Sequence, residues 1–108
     1  MKITTLIPVA DNAGQPLGDA MIDSIIKGLA KQFSGCTTVG MVEGHSVDGG
    51  KLQRDKSLRV EIVCENSRLW EVQQAIIKIG RELSQRSMYF EVRDYDGVQF
   101  LAVEAAGD

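Results

Sequence analysis

An antiparallel sheet with two helices on one face, an α+β fold, is what this 108-residue sequence predicts. Two observations carry that expectation. Stretches with apolar residues three and four apart, the period of a helix, occur at residues 19–35 and 66–85. Around and between them lie runs that alternate in polarity or are rich in β-branched residues, at 2–10, 36–44, 56–65 and 87–104. The length suits one core, so residues 1–104 are read as a single domain and 105–108 as a loose tail.

The first run, KITTLIPVA, sets Ile3, Thr5, Ile7 and Val9 on one side and Thr4 and Leu6 on the other. Pro8 has no N–H, which places that end at an edge or outside the sheet. DNAGQPLG is a cluster of turn formers and hence a loop. The first helix carries Met21, Ile22, Ile25, Ile26, Leu29 and Phe33 along one stripe, with Asp19 near its start and Gly35 as stop signal. CTTVGMVEG reads as a strand kinked at Gly40. KSLRVEIVCE is the cleanest strand, with Leu58, Val60, Ile62 and Cys64 facing one way and Arg59, Glu61 and Val63 the other, and belongs near the sheet centre. Between these two strands, residues 42–56 form a long hairpin arm that reverses at Asp48, Gly49 and Gly50.

The second helix has Asn66 or Ser67 available as N-cap and a stripe of Leu69, Val72, Ile76, Ile79 and Leu83. Gly80 on that stripe allows close approach to the sheet, while Trp70 and Ile77 widen the apolar surface beyond what one sheet face needs. A strand follows with Met88, Phe90 and Val92 inward, then a turn at Asp96 and Gly97 and a short extra C-terminal strand through Val98, Phe100 and Ala102. The order is the ferredoxin-like β-α-β-β-α-β plait. Its open face would carry Thr4, Leu6, Arg59, Glu61, Val63, Tyr89, Glu91 and Arg93. Leu6, Val63 and Tyr89 are too apolar to face water together, so a second copy or the chain's own end strand is expected to cover them.

A net charge of −3 disfavours a nucleic-acid partner, which needs clustered Lys and Arg. No apolar run approaches the roughly 18–20 residues of a membrane span, so no membrane partner is expected and the chain is placed in the cytoplasm. Cys36 and Cys64 are too far apart in sequence for a clustered zinc pattern and read as reduced, half-buried thiols. With one histidine and scattered acids, no metal and no cofactor are expected.

The candidate ligand-binding residues are Glu43, His45 and Arg54 on the arm and Gln85 and Arg86 after the second helix. A histidine beside a carboxylate can act as a base, but His45 and Ser46 are adjacent in a strand and point to opposite faces. Arg86 complements the negative end of the helix dipole and could equally contact a ligand. The loop before the first helix is the best anion-binding candidate among the loops, although Asp19 competes for the free N–H groups there.

The stretch GCTTVGMVEGHSVDGGKLQRDKSLRVEIVCE, followed by a helix and LSQRSMYFEV, resembles small bacterial and phage plait proteins similar in layout to the trimeric PII-like group. That group includes the PII signalling proteins, the CutA proteins and the phage S-adenosylmethionine lyases. The resemblance implies a trimer holding a nucleotide or similar small ligand in the cleft between protomers, below an arm that residues 44–55 would supply. For the lyases it implies a tyrosine from the arm and an acidic residue at the end of the second helix; this arm has no tyrosine, and Glu82 is the nearby carboxylate. The expected function is a non-catalytic homo-oligomer, a trimer, binding a small anionic ligand or a protein partner. The alternatives are a lyase-like cleft enzyme and a dimeric plait holding a hydrophobic small molecule between open sheet faces.

Overall fold

The computed structural model describes residues 1–94 and 99–103. The elements are β1 (Lys2–Pro8), α1 (Asp19–Phe33), β2 (Thr37–Asp48), β3 (Lys51–Val63), a 3-10 turn (Asn66–Arg68), α2 (Leu69–Glu82) and β4 (Phe90–Arg93). They form one antiparallel sheet in the order β2-β3-β1-β4, the expected plait. The central position of β1 and β3 follows from their apolar alternation: Ile3, Ile7, Val60 and Ile62 are fully buried beneath the helices. Leu29 and Phe33 from α1 and Val72, Ile76 and Ile79 from α2 close the core over them. Thr5 shares that buried face and donates from its hydroxyl to the Tyr89 carbonyl at 2.7 Å, which satisfies the one polar side chain there.

Gly80 is a point of close approach, but to Met88 in the segment before β4 rather than to a strand: a Cβ on Gly80 would lie 2.7 Å from the Met88 Cγ. The N-cap expectations fare worse. Gly18 precedes α1 without a side-chain cap, and Arg68 rather than Asn66 or Ser67 occupies the cap of α2. The Asn66 amide instead donates to the Asp94 carboxylate at 2.7 Å, and residues 66–68 are spent on the 3-10 turn. Arg68 is used elsewhere too, bonding the Glu71 carboxylate at 2.6 Å and the Gln32 carbonyl at 2.8 Å, with its guanidinium over the Phe33 ring. It thereby ties the end of α1 to the start of α2.

Both helices end alike. Ser34 and Ser84 take left-handed backbone, and the following N–H groups of Gly35 and Gln85 reach back to the Ala30 and Gly80 carbonyls at 2.8 Å. The expected stop at Gly35 is therefore displaced by one residue, since Ser34 holds the left-handed position.

The kink expected at Gly40 is a register shift between Thr38 and Gly40. Beyond it β2 and β3 pair continuously to Asp48 and Lys51, and Gly49 and Gly50 make the two-residue reversal with φ of 58° and 79°. β1 stops opposite Ser57, so residues 43–56 stand out as a two-stranded arm. The longest dimension is 61 Å against 29 and 21 Å for the others.

The extra strand also needs correction. Residues 99–103, which were to include the return strand through Phe100 and Ala102, form no strand; the turn at Asp96 and Gly97 and residue Val98 lie outside the described residues. Phe100, Leu101 and Val103 are 84%, 77% and 88% exposed. The segment is apolar on both sides of its alternation, and among the described residues no helix covers it.

Two measurements check this account. Left-handed backbone costs an L-residue about 1–2 kcal/mol, and glycine avoids most of that at an entropic cost of about 0.5–1 kcal/mol. Ser34→Gly and Ser84→Gly should each stabilise the fold by roughly 0.5–1 kcal/mol in urea unfolding. The hydrogen bond from Arg68 holds the Glu71 carboxyl below its ordinary range. A lowered folded-state value stabilises above the unfolded value, about 4.3, and the contribution is lost as pH falls through the folded value. The melting temperature of the native protein should therefore exceed that of Glu71→Gln at pH 7, with the difference shrinking as the pH drops below about 4.3.

Candidate functional site

The sheet order separates the five candidate residues into two groups. β2 and β4 are opposite edges, with β3 and β1 between them. Glu43, His45 and Arg54 lie on the β2 side, on the arm, and all three are exposed. His45 and Arg54 are directly opposite each other, and Glu43 is opposite Lys56, so these side chains line one face of the hairpin. That face continues the helix-covered side of the sheet, because Met41 is opposite Leu58 in the same series. Ser46 pairs with Gln53 on the other face, as the alternation requires. Beyond the helices, the face that holds His45 also shows Met41, Val47 and Leu52 to solvent.

Gln85 and Arg86 lie at the other edge, in an open groove of about 660 Å³ between α2 and residues 85–90. Its apolar wall is Trp70, Ile77, Met88 and Phe90. The excess apolar flank read from the sequence is this wall: Trp70 is 70% exposed and Ile77 43%. The polar side holds Arg81, which the sequence reading missed, as well as Arg86, with Gln73, Gln74 and Ser87. Arg81 was legible only as a basic residue in a last helical turn, the ordinary complement to a helix dipole. No carboxylate lines the groove among the described residues. Glu82 lines a second, smaller depression between α1 and α2, on the other flank of α2.

Gln85 and Arg86 have different roles. The Gln85 amide donates to the Asn12 side chain and to the Leu83 carbonyl, each at 3.2 Å, while the Asn12 amide donates to the Ser84 carbonyl at 3.1 Å. These bonds fasten the loop after β1 to the end of α2. Arg86 is exposed and has no salt-bridge partner among the described residues, so its donors remain available. The loop before α1 is organised by Asp11, whose carboxylate accepts from the N–H groups of Ala13 and Gln15 at 2.9 and 2.8 Å.

On the open sheet face, Leu6 and Val63 are half-buried by their neighbours and Tyr89 is 51% exposed. Around them Glu61 pairs with Lys2 at 3.1 Å and Arg59 at 3.6 Å, and Glu91 with Arg93 at 3.7 Å. Cys36 and Cys64 are free and half-buried, and burial pushes both thiols up, so they stay protonated at neutral pH. Among the described residues no group of three or more His, Cys, Asp and Glu comes together, and no helix is long and apolar enough to cross a membrane.

No protein-family model matches the chain. No curated protein matches it either. Among solved structures it is similar to a phage S-adenosylmethionine (SAM) lyase in complex with S-methyl-5'-thioadenosine, at 10% identity and a TM-score of 0.59, over 85% of this chain and 88% of that one. It is also similar to a phage SAM lyase in its apo state, at 12% identity and 0.51, over 87% and 90%. The likeness is one of fold, and in fold it agrees with the resemblance read from the sequence.

The division of roles is testable. Gln85→Ala removes two bonds and should lower stability by roughly 1 kcal/mol, whereas Arg86→Ala should leave the urea midpoint unchanged.

Proposed function

We propose that the chain is a homo-oligomer, a trimer, that binds a small anionic ligand in the groove beside α2, with the arm of the next protomer closing the site. The carrying observation is the groove's lining: Arg81 and Arg86 beside an aromatic and aliphatic wall, without an opposing carboxylate among the described residues. Guanidinium pairs favour carboxylate or phosphate, and an exposed Trp70 offers a stacking surface for a planar ring. The division of candidates between opposite edges supports the oligomer, because Glu43, His45 and Arg54 can join Arg86 only if a neighbouring copy supplies them. Unpartnered apolar side chains on both parts, Trp70 and Ile77 on the groove and Met41, Val47 and Leu52 on the arm, support the same arrangement. The open face, with Tyr89 exposed, would be a further contact between copies.

A lyase-like reaction is the second reading, and fold likeness to a phage SAM lyase favours it. Against it stand the arm without tyrosine and the position of Glu82 outside the groove. Incubation with SAM, followed by chromatography for S-methyl-5'-thioadenosine, separates the readings: release of that product above the uncatalysed background favours the lyase.

Native mass spectrometry of the full chain should show three copies of 11.8 kDa. A monomer at micromolar concentration overturns the proposal, and Val63→Lys, which places a charge on the open face, should shift the population toward monomer. Calorimetric titration with adenosine monophosphate and with pyrophosphate tests the groove. Arg86→Ala should weaken binding of whichever probe binds by roughly tenfold or more, the worth of one charge-assisted bond.

A further inference from the structure

β2 is the longest edge in the sheet: twelve residues whose outer N–H and C=O groups have no strand beside them among the described residues. Exposed edges of that length are ordinarily guarded by Lys, Pro, or a covering helix or loop, because they otherwise recruit another strand. TTVGMVEGHSVD contains no Lys, Arg or Pro, and every residue but Val42 is exposed. Its guards are the irregularity between Thr38 and Gly40 and two carboxylates, Glu43 and Asp48, both on the arm half of the strand. The same chain carries an unpaired apolar segment. Residues 99–103, Gln-Phe-Leu-Ala-Val, hold no charge and no breaker, and Phe100, Leu101 and Val103 are exposed. This is the composition of a strand buried on both faces, yet it forms none.

We propose that residues 99–103 of one copy add as a strand to the free edge of β2 in a second copy. The donor follows β4, at one edge of the sheet, and the acceptor is β2, at the other. Such a contact is head-to-tail, so every copy is both donor and acceptor, and a rotation that closes gives a ring. Backbone pairing supplies the register, and the exposed Val39 and Met41 beside the edge supply apolar neighbours for the incoming side chains. The proposal rests on the oligomer reading above and names the backbone contact that would hold it.

The test combines oligomer mass with hydrogen exchange at β2. In the full-length protein, the β2 amides that point away from β3 should be protected, and the mass should be that of the oligomer. Leu101→Pro removes a donor from the segment and should give a monomer with an unchanged far-ultraviolet spectrum, whose outward β2 amides exchange at least tenfold faster. Leu101→Thr, which keeps the backbone donor and strand preference, should retain the oligomer and the protection. If Leu101→Pro stays oligomeric with β2 protected, the strand contact is wrong and the oligomer reading stands. If the native protein is an oligomer whose outward β2 amides exchange freely, the contact is equally wrong. A monomeric native protein overturns both, whether or not those amides are protected.

Discussion

The unequal lengths of β1 and β3 set the proportions of the molecule. β3 has thirteen residues and β1 only seven, and the register places Pro8 opposite Ser57 as their last pair. Val9 adds one more bond, its N–H donating to the Lys56 carbonyl at 3.4 Å, and the chain then enters the loop organised by Asp11, so the helix-covered sheet ends there. Beyond Lys56, β3 has only β2 for a neighbour and leaves the body of the protein as an arm. The burial record changes at the same place: Val60 and Ile62 are fully buried, Leu58 is half-buried, and residues 51–56 are exposed. The end of β1 thus divides a core that folds by burial from a hairpin held mainly by its own backbone bonds and its Gly49–Gly50 reversal.

The core was legible in the sequence because periodicity reports burial directly. Ile3, Val60, Ile62, Val72, Ile76 and Leu83 all lie where the alternation or the helical stripe puts them. The hairpin at Gly49 and Gly50 was legible for another reason, since few residues other than glycine tolerate two successive positive φ angles. Helix ends were less readable. Ser34 and Ser84 hold left-handed positions that the bonds to Ala30 and Gly80 enforce, and no local preference of serine announces that. Asn66 looked like a cap but found Asp94, a partner 28 residues away. The extra strand failed because alternation shows that a segment wants to be buried without showing what is present to bury it.

The candidate site was half legible. Gln85 and Arg86 could be chosen because polar residues after a helix end have few structural duties, but their division into a fastener and a free cation depends on Asn12, more than 70 positions earlier. Arg81 was hidden by its ordinary place in the last turn. The bonds around Asn12 and Gln85, together with Arg68 at the other end of α2, hold both ends of that helix against the loop after β1 and the end of α1. The groove beside α2 therefore has a fixed wall on the helix side.

The irregularity between Thr38 and Gly40 lies in the body of the sheet, a few residues before β2 leaves it for the arm. From Gly40 to Asp48 the strand is a lever of about 26 Å, taking roughly 3.3 Å for each residue. A change of about 10° in the local twist at its base, well within what a bulge accommodates, would sweep the hairpin tip through some 4–5 Å. Small adjustments at the fulcrum, near the core, thus become displacements the size of a side chain at Gly49 and Gly50, while the ladder between the two strands keeps its register throughout.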